Sequence, residues 1–225
     1  MIAELHCHTS YSVDCWMSPR RLVEIAAARG LSALVITDHE TINGALHAQA
    51  MNENPNLTII VGEERTTDVC DIIGLFLTSA IRSRVALDVI AEIKDQGGVA
   101  MLPHPCRGRA IPDVIVAAVD VIEIFNARTP PQKNVAAAEL ARQFRKPTVV
   151  GSDAHFYMDI ARCRNVTPSN DLRADILAGR VTHVTAQSPR WVSPASEAIM
   201  RVKLGQYHRV PGPAFRALGR ALRIV

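Results

Sequence analysis

The stretch IAELHCH, residues 2–8, decides how the rest of the sequence is read, because a short apolar run ends there in two histidines. In an extended segment residues i and i+2 face the same side, so His6 and His8 converge while Cys7 points the other way. Two imidazoles that converge at the end of a strand can bind a metal ion. This segment therefore predicts a strand whose carboxyl end carries metal ligands.

Further short apolar runs alternate with helical patterns along most of the chain, which is typical of βα units repeated around a parallel sheet. Ser18 and Pro19 begin an amphipathic helix that ends near Gly30, and further helices are predicted over 84–96 and 131–145. The predicted strands cover residues 2–7, 33–37, 58–62, 72–77, 98–102, 120–125, 147–151 and 181–185. The pattern favours one compact α/β domain that extends to about residue 186.

The composition of the 225 residues fits a protein with a buried core, since 48% are hydrophobic and 21% are charged. Such values exclude a disordered or low-complexity chain. No apolar run reaches the roughly 18–20 residues of a membrane span, and the first residues lack the pattern of a signal peptide. Five cysteines without CxxC spacing indicate neither a disulfide framework nor a structural zinc site. We therefore expect a cytoplasmic protein with reduced thiols and no transmembrane segment.

The end of the chain differs from the rest in its charge and its prolines. Residues 201–225 include six basic residues and no acidic one, although the net charge of the whole chain is only +3. Prolines separate a helical stretch near 195–204 from an amphipathic basic one over 214–224. We expect a main domain over 1–186 and a basic helical extension over 187–225. The extension would dock on the main domain or form a homo-oligomer contact, and an anionic membrane surface or acidic partner is the alternative.

Residues that can bind metals recur at or just beyond the carboxyl ends of the predicted strands. In parallel α/β folds this rim is where active sites are built. The pattern consists of His6, His8, His39, Glu64, His104, Asp153 and His155. Imidazoles and carboxylates without thiolates suit Zn, Mn or Fe, and a bridging carboxylate allows more than one ion. His47, His183 and His208 fall outside this pattern, and we interpret them as surface or packing residues.

These residues belong to short motifs that follow one another along the chain. They are H-x-H-x-x-x-S-x-D over 6–14, T-D-H over 37–39, G-x-E over 62–64, His-Pro at 104–105 and G-S-D-A-H over 151–155. The ordered series, which spans residues 2–186, resembles that of the PHP (polymerase and histidinol phosphatase) domain family. The resemblance implies a distorted (β/α)7 barrel that acts as a metal-dependent phosphoesterase.

The resemblance also implies a cluster of two or three divalent metal ions, with Zn, Mn or Fe expected and Mg as a further option. The first implied ion is held by His6, His8, Glu64 and Asp153. Glu64 bridges to a second implied ion, which His104 also binds. The third implied ion lies between Asp14, His39 and His155.

The segment that precedes the His-Pro pair departs from the family pattern, in which many members have another histidine for the second ion. This chain has Cys70 and Asp71 there. Asp71 is the predicted replacement, Cys70 or Asp68 are alternatives, and a segment without any ligand is the remaining option. A carboxylate would weaken the site or shift its preference toward harder ions such as Mn or Mg.

Hydrolysis of a phosphoester is the chemistry that such a cluster favours, because clustered divalent ions activate a water and offset charge on a phosphoryl group. Arg107 and Arg128 follow predicted strand ends, and they are placed to bind the remaining phosphate oxygens. The predicted catalytic residues are Asp14, His39, Arg107 and Arg128. Asp38 and Glu123 are predicted to orient imidazoles or arginines.

The leading prediction is a phosphomonoesterase or related phosphoesterase that acts on a small phosphorylated metabolite or nucleotide. An amidohydrolase-like metal hydrolase is one alternative, since those barrels also begin with an HxH motif, but no lysine lies at a strand end to form a carbamylated ligand. A catalytically weak domain with a binding or regulatory role is another. Two Trp, three Tyr and five Phe among 225 residues offer few stacking surfaces and argue against a nucleic-acid partner.

Overall fold

Nine short strands form one sheet in the part of the chain that this computed structural model describes, residues 1–210 together with positions 212, 213, 216 and 219. The strands are β1 (Ile2–Glu4), β2 (Ala33–Ile36), β3 (Thr58–Thr66), β4 (Asp71–Leu75), β5 (Val99–Leu102), β6 (Val121–Asn126), β7 (Thr148–Gly151), β8 (Arg164–Val166) and β9 (Thr182–Val184). Their order across the sheet is β7-β6-β5-β4-β3-β2-β1-β8-β9. The first seven strands therefore lie side by side in chain order, and β8 and β9 extend the sheet beyond β1.

These first seven strands curve into a nearly closed barrel. Beyond the ends of β1 and β7 the chain forms a parallel bridge between Cys7 and Ala154. His8 N donates a hydrogen bond to Ala154 O at 3.0 Å, and Ala154 N donates one to His6 O at 3.3 Å. The bridge brings the first and the seventh strand together, and the distorted (β/α)7 barrel expected from the sequence is confirmed.

The sheet is not parallel throughout, since β8 pairs antiparallel with both β1 and β9, and the expectation of βα units around a parallel sheet is also wrong at β4. This strand runs antiparallel to both β3 and β5. β3 is longer than predicted and ends at Thr66, so only residues 67–70 connect it to β4, and so short a connection permits a hairpin but not a crossover. Thr66 pairs with Asp71, so the beginning of β4 lies beside the carboxyl end of β3.

Seven α-helices lie among the described residues. They are α1 (Pro19–Ala28), α2 (Asn43–Met51), α3 (Ala86–Asp95), α4 (Asp113–Ala118), α5 (Pro131–Phe144), α6 (Leu172–Leu177) and α7 (Val192–Lys203). As predicted, Pro19 opens α1, and the Ser18 hydroxyl caps it by accepting a hydrogen bond from Arg21 N at 3.2 Å. The helices predicted over 84–96 and 131–145 correspond to α3 and α5. The sequence does not predict β8, whose three residues are too few to show a periodic pattern.

The core has one layer inside the barrel and another between the barrel and its helices, and the alternation along β2 illustrates both. Leu34 and Ile36 belong to the same buried cluster as Leu22 of α1. Val35, on the other face of the strand, belongs to a second cluster together with Val149 of β7. The strands are therefore buried on both faces, as expected for a barrel covered by helices.

The extension after residue 186 contains α7, which corresponds to the helical stretch predicted near 195–204. The basic helix predicted over 214–224 lies outside the described residues apart from positions 216 and 219. The division of the chain into 1–186 and 187–225 stays a prediction. No helix among the described residues has both the length and the apolar character needed to cross a membrane.

Candidate metal centre

All nine residues predicted to bind metal lie at one end of the barrel. They are His6 and His8 after β1, Asp14 in the following loop, His39 after β2, Glu64 in β3, Asp71 at the start of β4, His104 after β5, and Asp153 and His155 after β7. Four overlapping groups of these side chains have donor atoms within 4.8 Å of one another. The groups are His8-His39-His155, His6-His8-Glu64, His6-His104-Asp153 and Glu64-Asp71-His104. The fold thus gathers imidazole nitrogens and carboxylate oxygens at one rim.

The carboxylate of Glu64 lies at the centre of this cluster. Its Oε2 atom is 3.3 Å from Nε2 of both His6 and His8 and 3.4 Å from Nδ1 of His39. Its Oε1 atom is 3.1 Å from Nε2 of His104. The two oxygens of one carboxylate therefore face two different sets of imidazoles, which is the arrangement that a bridging ligand needs.

The protonation state of His8 shows whether its ring can bind a cation. The Ser12 hydroxyl donates its single proton to Asp38 Oδ1 at 2.7 Å, so His8 Nδ1, 3.1 Å from that hydroxyl, must be the donor of their hydrogen bond. Burial, together with the neighbouring imidazoles of His155 and His39, lowers the pKa of His8 to about 3. Its Nε2 atom is buried and accepts no hydrogen bond from any described residue. A neutral ring with an unused lone pair facing carboxylates is what a metal ligand requires.

The environment of the cluster favours the ionised form of two central carboxylates, Glu64 and Asp153. Burial opposes the charge of Glu64, but His39 and His6 hold its pKa well below the ordinary value. Burial likewise opposes the charge of Asp153, and Arg128 and His6 hold its pKa well below the usual range. Burial alone would lower the pKa of His39, but the nearby carboxylates of Glu64 and Asp14 outweigh this effect and raise it to about 10. Charged oxygens and imidazoles in this proximity fit a divalent cation.

A buried carboxylate behind the cluster orients one of its histidines. Glu123 Oε1 lies 2.9 Å from His6 Nδ1, and Glu123 Oε2 accepts a hydrogen bond from His104 N at 2.8 Å. Gly151 leaves room for this carboxylate, since a Cβ atom at that position would lie 2.0 Å from Glu123 Oε1 and 2.7 Å from His6 Cβ. The His6 ring therefore donates from Nδ1, which leaves its Nε2 free to bind a cation.

Asp38 orients the Ser12 hydroxyl, which in turn contacts both His8 and His39. Besides its contact with His8, the Ser12 hydroxyl accepts a hydrogen bond from His39 N at 3.0 Å. Asp38 also accepts hydrogen bonds from the backbone N and the hydroxyl of Thr9, both at 2.6 Å. The loop after β1 is thus tied to the end of β2, and the backbone position of both histidines is fixed.

Both predicted arginines contact Asp153. Arg107 Nη2 donates to Asp153 Oδ2 at 2.9 Å and to Asn126 Oδ1 at 2.6 Å. Arg128 Nη1 donates to Asp153 Oδ1 at 3.2 Å and lies 2.7 Å from Nδ1 of His155. The Arg107 side chain is 36% exposed, so it lies at the open side of the cluster. The Arg128 side chain is only 10% exposed and is largely enclosed by the protein.

Asp71 joins the cluster because β4 is antiparallel, so that its first residue lies at the same rim as Glu64 and His104. Its Oδ1 also accepts a hydrogen bond from the Thr66 hydroxyl at 2.9 Å. Asp68, one of the two alternatives, instead accepts a hydrogen bond from the backbone at the start of α3. Cys70 lines the same cleft but belongs to none of the metal-competent groups among the described residues.

Two residues around the site are not predicted by the sequence. Glu4 is fully buried in β1 and accepts hydrogen bonds from the backbone and hydroxyl of Ser152, at the base of the loop that carries Asp153. An acidic residue inside a short apolar strand is the signal that could have found it. Ser196, on α7, accepts a hydrogen bond from Arg128 Nη2 at 2.7 Å. No local pattern indicates a contact between residues so far apart in the chain.

A cleft of about 270 Å³ opens beside the cluster. Its lining includes Asp14, His39, Glu64, Val69, Asp71, His104, Arg107, Arg109, Ile111, Arg128 and Asp153. Three arginines and the ionised carboxylates thus share one opening with a few apolar side chains. Such a cleft suits a small anionic ligand that also contacts bound cations.

Comparison with known proteins identifies the family. A model of the PHP domain matches residues 4–93, and a model described as PHP-associated matches residues 131–181. An uncharacterized protein of Methanocaldococcus jannaschii is 34% identical over 141 residues, which cover 56% of this chain and 82% of that protein. The chain belongs to the PHP domain family. The resemblance seen in the sequence is thereby confirmed.

Solved structures of low sequence identity share the fold of this PHP protein. One is a two-domain protein from Bacteroides vulgatus that contains a predicted PHP-like metal-dependent phosphoesterase, with a TM-score of 0.70, 16% identity, and coverage of 82% of this chain and 64% of that one. Another is a lesion-specific endonuclease from Pyrococcus furiosus, with a TM-score of 0.61, 14% identity, and coverage of 79% and 56%. Family membership and the metal-competent cluster together support a role as a metal-dependent hydrolase.

Proposed function

We propose that this protein is a metal-dependent phosphoesterase that releases phosphate from a small phosphorylated metabolite or nucleotide. The observation that carries the proposal is the position of Glu64, whose two carboxylate oxygens face separate sets of imidazoles 3.1–3.4 Å away. A carboxylate in that position can join two cations, and paired cations are suited to in-line displacement at phosphorus. The arginines beside Asp153 add the positive charge that a phosphoryl group requires.

The ligand sets are those that the family resemblance implies, with Asp71 added to the second, and only that second set coincides with one of the overlapping groups of described residues. The first ion would be held by His6, His8, Glu64 and Asp153, the second by Glu64, Asp71 and His104, and the third by Asp14, His39 and His155. The nitrogen-rich sets suit Zn, Mn or Fe, whereas Asp71 adds an oxygen that favours Mn or Mg at the second position. When bound, such ions supply a water of lowered pKa and neutralise charge on the phosphoryl oxygens.

The side chains of the rim bind and orient the substrate. Arg107 uses Nε and Nη2 for hydrogen bonds with Thr129, Asn126 and Asp153, and its Nη1 makes none within the described residues. Arg128 Nη2 donates only to Ser196 among them, which leaves one of its two protons unused. Each guanidinium therefore keeps a donor for a phosphate oxygen, and charge-assisted hydrogen bonds of this kind are strong.

The size of the cleft favours a small substrate. A volume of about 270 Å³ lies just below the roughly 300–1,000 Å³ of typical small-molecule sites, and Val69 and Ile111 provide apolar contact for a leaving group. Cleavage of a nucleic-acid phosphodiester is the second candidate function. It is favoured by Tyr11 and Trp16, which are 44% and 41% exposed on the loop that carries Asp14 and could stack on bases.

The decisive experiment combines metal analysis with a substrate screen. Elemental analysis of the purified protein is followed by phosphate-release assays with nucleotides, sugar phosphates and histidinol phosphate, alongside an oligonucleotide and amide substrates. Replacement of both His6 and His8 by Ala should remove metal and hydrolysis while the fold persists, and His47→Ala is the control, because His47 contacts Tyr11 at the surface. Full activity and metal content in the double variant would refute the site. Cleavage of the oligonucleotide alone would favour the second function.

A further inference from the structure

Helix α7 contacts the active-site rim although it lies outside both segments that the family models match. Those segments end at residues 93 and 181, and α7 covers Val192–Lys203. The helix nevertheless reaches the loops that follow β1, β6 and β7, through Lys203, Ser196 and the apolar residues around Ala195. These three loops carry Asp14, Arg128 and His155.

The contact of Ser196 has a defined direction. Its side chain is buried, and its hydroxyl donates to Val192 O at 3.0 Å within the same helix. Because that bond uses the only hydroxyl proton, the oxygen is left as an acceptor, and it receives Nη2 of Arg128 at 2.7 Å. Nη1 of the same guanidinium contacts Asp153 and His155. Ser196 and Asp153 thus hold the two ends of the guanidinium fork.

The helix that carries Ser196 is itself held in place at both ends. Lys203 Nζ donates to the carbonyl oxygens of Ser10 at 2.9 Å, Ser12 at 2.7 Å and Cys15 at 2.6 Å, which uses all three ammonium protons. At the other end, the rings of Trp191 and Phe156 lie 5.6 Å apart. A helix fixed at both ends presents the Ser196 hydroxyl at a fixed point of the wall.

We propose that Ser196 is a positioning residue that sets the orientation of Arg128 for the phosphate group of the substrate. The proposal rests on the proposed phosphoesterase function, in which Arg128 binds phosphate. An arginine side chain loses much rotational freedom when its guanidinium is fixed, and a preformed partner removes part of that cost before the ligand arrives. Ser196 supplies that partner from a segment that the family models do not include.

The test measures binding of inorganic phosphate to the metal-loaded protein by calorimetry. Ser196→Ala should weaken binding about tenfold, because Nη2 of Arg128 then loses its buried acceptor and the fork is free to turn. Ser196→Thr, which keeps the hydroxyl, should restore most of the affinity. Ser193→Ala is the matched control, since Ser193 is exposed one turn earlier on the same helix. Elemental analysis must show equal metal content in every protein that is compared.

A double-mutant cycle separates positioning from a general structural effect. In an Arg128→Ala background, Ser196→Ala should cause no further loss, because it acts only through the guanidinium. Equal phosphate affinity in the wild type and Ser196→Ala, with Arg128→Ala weakened, would overturn the positioning role and leave the proposed function intact. A further loss in the Arg128→Ala background would overturn it as well. Undiminished affinity in Arg128→Ala would overturn the positioning role alone, whereas no phosphate binding by the metal-loaded wild type would overturn both.

Discussion

Replacement of Asp71 by Asn should change the stability of the protein in opposite directions without and with a divalent ion. Asp71 is half-buried beside Glu64 and His104, with donor atoms within 4.8 Å of one another. Burial and the Glu64 carboxylate raise the pKa of Asp71, and His104 opposes the rise. A carboxyl group whose pKa is raised by folding opposes folding at a pH above that pKa, so the ionised Asp71 costs stability at neutral pH when no cation is bound.

The size of the expected stability change follows from the repulsion between the carboxylate charges of Asp71 and Glu64. Two carboxylate charges at the 4.8 Å limit of this group repel by about 1 kcal/mol in water and by about 3.5 kcal/mol at an effective dielectric constant of 20. Asp71 is partly exposed and His104 offsets the repulsion, so Asn should raise the free energy of unfolding of the metal-free protein by roughly 1 kcal/mol. With metal, loss of the charged ligand should weaken binding at least tenfold, a loss of about 1.4 kcal/mol of metal-dependent stabilisation.

Urea unfolding at pH 7.5 with EDTA, and again with saturating Mn²⁺, measures both effects. Asp68→Asn is the matched control, because Asp68 Oδ1 accepts a hydrogen bond from Ala86 N at 2.9 Å outside the cluster. The control should change the free energy of unfolding by the same amount under the two conditions. If Asp71→Asn also has the same effect with EDTA as with Mn²⁺, Asp71 is not a ligand and the reasoning fails.

Four further changes address the carboxylates behind the cluster and the end of the chain. Glu123→Gln should lower metal affinity about 10–100-fold in a chelator competition, because Glu123 holds His6 Nδ1 at 2.9 Å, and unchanged affinity would contradict this role. Glu4→Gln should lower the free energy of unfolding in urea by about 1–3 kcal/mol, with metal content unchanged. In the wild type, Leu5 N donates to Oε1 of Glu4 and Ala161 N donates to Oε2. In either orientation of the glutamine amide, its NH₂ group would therefore face one of these two backbone N–H groups. Removal of 205–225 should spare metal content and hydrolysis and alter solubility or oligomeric state in light scattering, whereas removal of 190–225 should also weaken hydrolysis.

The parts of the site that the sequence predicts are those set by local geometry. His6 and His8 converge as the two-residue period of a strand requires, and their Nε2 atoms lie equally far, 3.3 Å, from Glu64 Oε2. The carboxyl ends of neighbouring parallel strands meet at one edge, which brings His39 and Asp153 to the same rim. Motif order and strand ends are therefore enough to locate the cluster.

The parts that the sequence does not predict depend on contacts between distant segments. The direction of β4 depends on the length of β3, and extension of that strand to Thr66 leaves room only for a hairpin. The contact between Arg128 and Ser196 joins a barrel loop to a helix in the extension. Periodicity describes each element by itself, so it does not indicate which side chains of two elements contact each other.

The segments that the family models match contain most of the proposed metal ligands but neither Arg107, Arg128 nor Ser196. Of the nine proposed metal ligands, six lie within the first matched segment, 4–93, and two within the second, 131–181, so that only His104 lies between them. The two arginines proposed to bind phosphate lie in that unmatched interval, and Ser196, which we propose orients one of them, lies beyond the second segment. The matched segments thus contain all the residues proposed for the first and third ions, whereas the second ion also requires His104. Because the arginines and Ser196 lie in residues 94–130 and in α7, we expect substrate specificity to depend on these two parts of the chain.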